Sequence, residues 1–186
     1  MWDLDGTIFD TYPFFTEIFI QVLDRPVESQ DVHNKLKISF SHAIQYYGLD
    51  VTQIKQMKQL ERSVDLNTIK PFPNVIDVLS TSEVNVIMTH KGEEETRAIL
   101  NHYGWTTYFD EILTIDSGFP RKPDPASYRF LYSKYNLDLA IGDREIDTQP
   151  AKEIGMKTCL FQNPEGEADF HLSHYKDFFK QVNLHH

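Results

Sequence analysis

Cysteine is almost missing from this chain: Cys159 stands alone among 186 residues. No disulfide framework can be written, and a reducing compartment is expected. Long apolar runs are also missing. None reaches the roughly 20 residues that span a bilayer, and no secretory leader opens the chain, so the protein reads as cytoplasmic with no membrane partner. Positive charge is scarce, with 18 Lys and Arg against 28 Asp and Glu and a formal net charge of -10. That balance argues against a nucleic-acid partner, since phosphate backbones are bound by basic surfaces. A small phosphorylated substrate stays open only where local cations or a metal offset the field. No internal repeat or low-complexity tract is visible.

What is present argues for a globular protein. Hydrophobic residues make up 40% and aromatic residues 13% of the chain, enough for a real core, and the length suits one domain carrying a sizeable insertion. The most informative stretch is Asp3-Leu4-Asp5-Gly6-Thr7. On an extended strand, residues at i and i+2 point to one face, so Asp3 and Asp5 look out together over a strand's C-terminal end, directly before a glycine turn. Two carboxylates held that close favour a divalent cation, a shared proton, or both. An acidic Asp-Gly turn is the bland alternative. A calcium loop of the EF-hand kind fails on spacing, because its twelfth position, which needs Glu, is Phe14.

Only Met1 and Trp2 precede Asp3, whereas a central strand usually has about five residues. Residues upstream are therefore expected, and a strand this short would leave Asp3 on a frayed end. Asp10-Thr11-Tyr12-Pro13 suits a helix start, followed by Phe14, Phe15, Ile18, Phe19, Val22 and Leu23 at helical spacing. A second helical pattern runs from about Gln30 to Tyr47 and stops at Gly48; a third runs from Val51 to Leu66. Pro71-Phe72-Pro73 then closes the region. Residues 11–70 thus read as an all-helical insertion.

Beyond Pro73 the rhythm alternates. Helices are expected at Asn74–Leu79, Gly92–His102, Pro125–Tyr135, Asp147–Ile154 and Tyr175–Val182, and strands at Val84–Met88, Glu111–Ile115, Leu139–Ile141 and Lys157–Phe161. This gives an α/β fold, a Rossmann-like doubly wound parallel sheet built from residues 1–10 and 71–186, with a helical cap inserted after the first strand. Two links, Leu137 to Leu139 and Ser80 to Glu83, look short for helix-to-strand turns of about two to six residues, so residues missing within them are expected.

In a parallel sheet the strand ends open on one edge. Asp3, Asp5, Thr89, the segment Ser117–Pro125 with Lys122, and Gly142-Asp143 would converge there. Asp147, four residues after Asp143, joins it if a helical turn begins in between. Such an all-oxygen cluster suits Mg²⁺.

Asp3-Leu4-Asp5-Gly6-Thr7, Thr89, Lys122 and Gly142-Asp143-Arg144-Glu145-Ile146-Asp147 together resemble, in order, the motifs of the haloacid dehalogenase superfamily. The helical insertion resembles the small cap of the branch containing phosphoglycolate phosphatases and β-phosphoglucomutases. The resemblance implies that Asp3 is the nucleophile forming an aspartyl-phosphate and that Asp5 is the acid, then base, for the leaving alcohol and water. It implies that Thr89, with backbone N–H groups at Gly6 and Thr7, binds a phosphoryl oxygen. Lys122 supplies the fixed positive charge, ahead of its neighbours Arg121 and Lys91. Mg²⁺ takes Asp3, Asp143 and the Asp5 carbonyl, with Asp147 as ligand or outer partner. An acid at Asp5 favours phosphoryl transfer over dehalogenation, where halide leaves unprotonated.

The function expected is a Mg²⁺-dependent phosphatase for a small phosphorylated metabolite. A phosphosugar mutase of the β-phosphoglucomutase type and a non-catalytic phosphate-binding module are the alternatives. A monomer or weak homodimer is expected. Specificity is expected in the cap, where Tyr12, Phe14, Lys37, Phe40, His42 and Tyr46 are available, while His33, His102, His171 and His174 read as surface residues. His185-His186 reads as a tag remnant.

Overall fold

The elements of the computed structural model, which describes residues 1–184, follow the chain as β1 (Phe9–Asp10), α1 (Tyr12–Leu23), α2 (Ser29–Ile38), α3 (Phe40–Tyr47), α4 (Val51–Arg62), β2 (Lys70–Pro71), α5 (Val75–Thr81), β3 (Val86–Met88), α6 (Glu93–His102), β4 (Glu111–Leu113), α7 (Ala126–Tyr135), β5 (Leu139–Gly142), α8 (Glu145–Glu153), β6 (Lys157–Phe161), β7 (Phe170–Leu172) and α9 (Phe178–Gln181). His185-His186 lies outside the described residues. The chain divides into two compact units, Met1–Phe9 with Pro71–His186, and Asp10–Lys70.

In the first unit, Val86-Ile87-Met88 and Leu139-Ala140-Ile141-Gly142 are unbroken buried runs, the pattern of strands covered on both faces. β3 pairs in parallel with β4, β5 with β6, and β6 with β7. Trp2 bridges Ile87 on one side and Ile141 on the other, also in parallel, so the opening residues run between β3 and β5. The expectation of a frayed first strand is corrected by this placement. Trp2 N–H donates to Val86 O at 2.8 Å and Met88 N–H to Trp2 O at 2.9 Å, while Asp3 N–H donates to Ile141 O and Ile141 N–H to Met1 O, both at 2.9 Å. The Trp2 indole N–H also donates to Asn85 Oδ1 at 2.9 Å. Both neighbouring strands bond these residues, which holds Asp3 firmly in the sheet. Met1, Val86, Met88, Leu113, Leu131, Ala140, Ala151 and Met156 share one apolar core. Cys159 is buried on β6, where burial pushes its thiol up to about 12.

Several boundaries differ from expectation for local reasons. The helix read over Gln30–Tyr47 is two helices, because Ser39 adopts extended backbone and its hydroxyl accepts the His42 N–H at 3.0 Å, an N-cap that starts α3. The third helix stops at Arg62. Asp50 and Gln53 form a capping box at its start. The two short helix-to-strand links are closed without extra residues: Asn136 ends α7 in the left-handed conformation (φ 50°), and the Ser82 N–H returns to Val78 O at 3.2 Å. β7 carried no sequence expectation. Its three residues pair through the register Cys159↔Phe170 to Phe161↔Leu172.

In the helical unit, Phe15, Ile18, Phe19 and Val22 of α1 pack with Val32 and Leu36 of α2, Ala43 of α3 and Met57 of α4. Tyr12 belongs to this core and Phe14 and Phe40 pack against it, whereas Tyr46 is exposed beside His42. His33 is not a bare surface group, since its ring meets Tyr12 edge-on at 5.6 Å. Among the described residues, no helix is long and apolar enough to cross a membrane.

Candidate active site

Asp3 occupies a special place in the sheet. From the opening segment the sheet runs through β3 to β4 in one direction and through β5 to β7 in the other, so Asp3 sits where the strand order reverses. Ligands of open α/β sheets bind at the carboxyl ends of strands at such a switch point. Asp143 directly follows β5, and Asp147 lies in the first turn of α8. Gly142 makes their convergence possible: a Cβ there would meet the Cβ of Asp147 at 2.3 Å. Asp3, Asp143 and Asp147 each offer a carboxylate oxygen within 4.8 Å of the others, and all three are buried.

Lys122 enters this cluster from the segment before α7. Its Nζ donates to Asp3 Oδ1 at 2.7 Å and to Asp147 Oδ1 at 2.8 Å, with both ends of each pair almost wholly buried. Arg121, the rival in sequence, is exposed. Arg144 braces the second acidic position: its backbone N–H and its Nε reach Asp147 Oδ2 at 3.2 and 3.3 Å, and Nε stands 3.7 Å from Asp143 Oδ1. Tyr128 donates its hydroxyl to the Asp147 carbonyl at 2.7 Å.

Asp5 stands apart from that cluster. Its Oδ1 accepts no hydrogen bond and lies 3.4 Å from Nζ of Lys91, which is buried. The two lysines weighed for one role therefore attend different carboxylates. Thr89 follows β3, is buried, and its Oγ1 accepts the Lys91 N–H at 3.1 Å. Gly6 (φ 78°) turns the chain after Asp5. The amides expected to face a phosphoryl oxygen are used inside that turn, Gly6 N–H on Phe9 O at 2.8 Å and Thr7 N–H on Leu4 O at 3.4 Å. The Thr7 hydroxyl points to Asp3 Oδ2 at 3.5 Å.

The charges explain the protonation pattern. Burial, and then the neighbouring Asp147, push the Asp3 carboxyl up to about 7 against the pull of Lys122 and Arg144. Burial also works against ionised Asp147, but Arg144 and Lys122 outweigh it and hold the group low, at about 2. Burial opposes the charge on Lys122, yet Asp147 and Asp3 raise its pKa well above the ordinary value. Three buried carboxylates thus face too little positive charge, and one is held short of ionisation. Their all-oxygen donor set fits a hard divalent cation.

Sequence reasoning passed over His90, which follows Thr89. Its Nε2 accepts the Lys122 backbone N–H at 2.8 Å. No spacing rule links a residue after one strand to a loop 32 positions later.

Fold and site together define an α/β enzyme whose aspartates gather at the switch point of a parallel sheet beside a buried lysine. The chain belongs to the haloacid dehalogenase-like hydrolase family, whose profile matches residues 1–161. It is similar to a phosphoglycolate phosphatase of Mesorhizobium japonicum, 26% identical over 178 residues and covering 84% of this chain and 78% of the relative. A crystal structure of a hydrolase from Streptococcus pneumoniae is 30% identical with TM-score 0.65, covering 88% of this chain and 91% of the other. The subfamily IA hydrolase of Geobacter sulfurreducens, 17% identical, shares the fold at TM-score 0.71, covering 96% of each chain.

Proposed function

We propose that the protein is a Mg²⁺-dependent phosphatase that hydrolyses a small phosphomonoester through an aspartyl-phosphate on Asp3. The observation that carries this reading is the single ammonium of Lys122 held between Asp3 and Asp147 beside Asp143. A carboxylate attacks a phosphoryl group only when the charge on that group is neutralised and the approach is in line.

A carboxylate oxygen of Asp3 attacks phosphorus and the ester oxygen departs, taking a proton from Asp5. Asp5 then removes a proton from water, which attacks the same phosphorus and frees Asp3. Lys122 holds Asp3 in place and offsets the negative charge spread over the phosphoryl oxygens. Thr89 Oγ1 already accepts a backbone N–H, which leaves its own O–H to donate to a phosphoryl oxygen. Asp3, Asp143 and Asp147 would hold Mg²⁺, which supplies further charge neutralisation next to the nucleophile.

The test is a panel of phosphoglycolate, sugar phosphates, nucleotides and pyrophosphate, with and without Mg²⁺, on wild type and Asp3→Asn. Phosphoglycolate comes first because the Mesorhizobium relative is a phosphoglycolate phosphatase. Magnesium-dependent phosphate release that disappears in Asp3→Asn is the expected result. Release that survives the substitution overturns the mechanism, and sugar isomer formation without free phosphate replaces the phosphatase with a mutase.

A further inference from the structure

We propose that His90 is a positioning residue for this reaction: its imidazole ties the backbone of Lys122 to the loop carrying Thr89, so that the phosphate-binding hydroxyl and the fixed cation are held as one unit. The proposal rests on the phosphatase reading for its kinetics and on geometry alone for the tie itself.

Lys122 must meet two demands at once, since its Nζ lies 2.7 Å from the Asp3 carboxylate of the opening strand and 2.8 Å from the Asp147 carboxylate in the first turn of α8. Its backbone, however, belongs to residues 118–125, which lie between a short turn of 3₁₀ helix and α7 and form neither strand nor α-helix. Local bonds shape this segment from within: Asp124 N–H donates to Arg121 O at 3.0 Å, and Ala126 N–H to Asp124 Oδ1 at 2.9 Å. Neither fixes it to the sheet. The bond from Lys122 N–H to His90 Nε2 does, because His90 adjoins Thr89, whose N–H is bonded to Leu113 O of β4 at 2.9 Å. A catalytic group displaced by about 1 Å can lose roughly 100-fold in rate, so the anchor of this segment bears directly on turnover.

The ring must stay unprotonated at Nε2 to accept that bond. Burial first, then Lys122 and Arg121, bring His90 down to about 3, which keeps it an acceptor throughout the range in which the protein would work. A half-buried histidine beside two cations is otherwise a poor choice of side chain. Its usefulness lies in an acceptor atom at the end of a rigid ring.

The experiment compares His90→Phe, His90→Gln and His90→Asn. Phe keeps the ring and loses the acceptor; Gln places an amide oxygen near the position of Nε2; Asn is too short to reach. Exchange of the Lys122 amide hydrogen is measured in each, together with kcat and KM on the best substrate of the panel. Faster exchange and a kcat lower by roughly 10- to 100-fold in His90→Phe, with KM changed less than about twofold and both properties largely recovered in His90→Gln, are expected. Unchanged exchange or kcat in His90→Phe overturns the proposal, as does equal impairment of Phe and Gln. If His90→Phe does not fold, His90→Asn takes its place, and Asn matching Gln in both measurements overturns it. A wild type without phosphatase activity counts against the functional reading alone, and amide exchange then decides whether His90 holds Lys122.

Discussion

Lys122 and Asp3, 119 positions apart in the chain, meet at 2.7 Å with neither side chain more than a few per cent exposed. Burial of an ammonium is costly unless its charge is answered in place. Here it is answered twice, by Asp3 and by Asp147. The same contact orients the carboxylate that the proposed reaction uses as nucleophile. Stability and chemistry therefore lean on one nitrogen.

Replacing that nitrogen exposes both roles. Lys122→Met leaves two buried carboxylates facing each other, and removal of one member of a buried ion pair costs about 3–5 kcal/mol. Urea denaturation without metal should show a loss of that order. Added Mg²⁺ should recover part of it, because a cation held by Asp3 and Asp147 takes over some of the missing positive charge. Turnover should fall by roughly 100-fold or more even in fully folded protein, as expected for loss of a fixed charge beside the reacting group.

Gly142→Ala tests the close approach between β5 and α8. The new Cβ would stand 2.3 Å from the Cβ of Asp147, far inside van der Waals contact, so the first turn of α8 must move. Asp147 would then leave Lys122 and Asp3. A destabilisation of about 1–3 kcal/mol is expected, read as a lower midpoint in thermal denaturation. Activity should fall further than the loss of folded protein explains.

Much of this was legible in the sequence because it depends on strand ends. Alternating apolar strands and helices identify the sheet, and in a parallel sheet Asp3, Thr89, Asp143 and the segment with Lys122 must open on one edge. The firm anchoring of the opening strand was not legible, since what holds Trp2 and Asp3 is backbone bonding to Val86, Met88 and Ile141, which side-chain pattern does not report. Ser39 carries the signal for the break between α2 and α3: apolar spacing runs through it, but a serine N-cap interrupts the helix. The pairing of Lys91 with Asp5 and of His90 with Lys122 follows from three-dimensional neighbourhood alone.

The acidic cluster yields a prediction readable without any substrate. If Asp3, Asp143 and Asp147 hold Mg²⁺, the cation stabilises the folded protein by mass action, about 2.7 kcal/mol at a hundred times its dissociation constant. For a chain of this size that corresponds to a rise in Tm of roughly 5–10 °C. Asp143→Asn should lose most of this rise while folding at least as well as wild type without metal, because it removes one of three crowded carboxylates. An equal magnesium-induced rise in wild type and Asp143→Asn would place the cation elsewhere.

Far from the site, Asp169 should give the protein a measurable acid sensitivity. Its carboxylate accepts from Lys157 Nζ and from the N–H and hydroxyl of Thr158, all at 2.9 Å, while its own N–H returns to Thr158 Oγ1 at 3.1 Å. This knot joins the start of β6 to the residue before β7. Burial alone would raise the Asp169 pKa, but the bonds from Lys157 and Thr158 outweigh it and hold the folded-state value below the ordinary one. The stabilisation is therefore present above the unfolded value of about 3.9 and is lost as pH falls through the lower folded-state value. The group is largely exposed and screened by water, so the effect at neutral pH should be about 1 kcal/mol, or roughly 2–4 °C in Tm. Asp169→Asn should lower the Tm by that amount at pH 7. The gap between variant and wild type should close as pH falls through the lowered folded-state value, below which wild-type Asp169 is itself protonated. A gap that persists unchanged in acid would mean that Asn disturbs the β6 to β7 connection by shape, and that the charge of Asp169 contributes nothing.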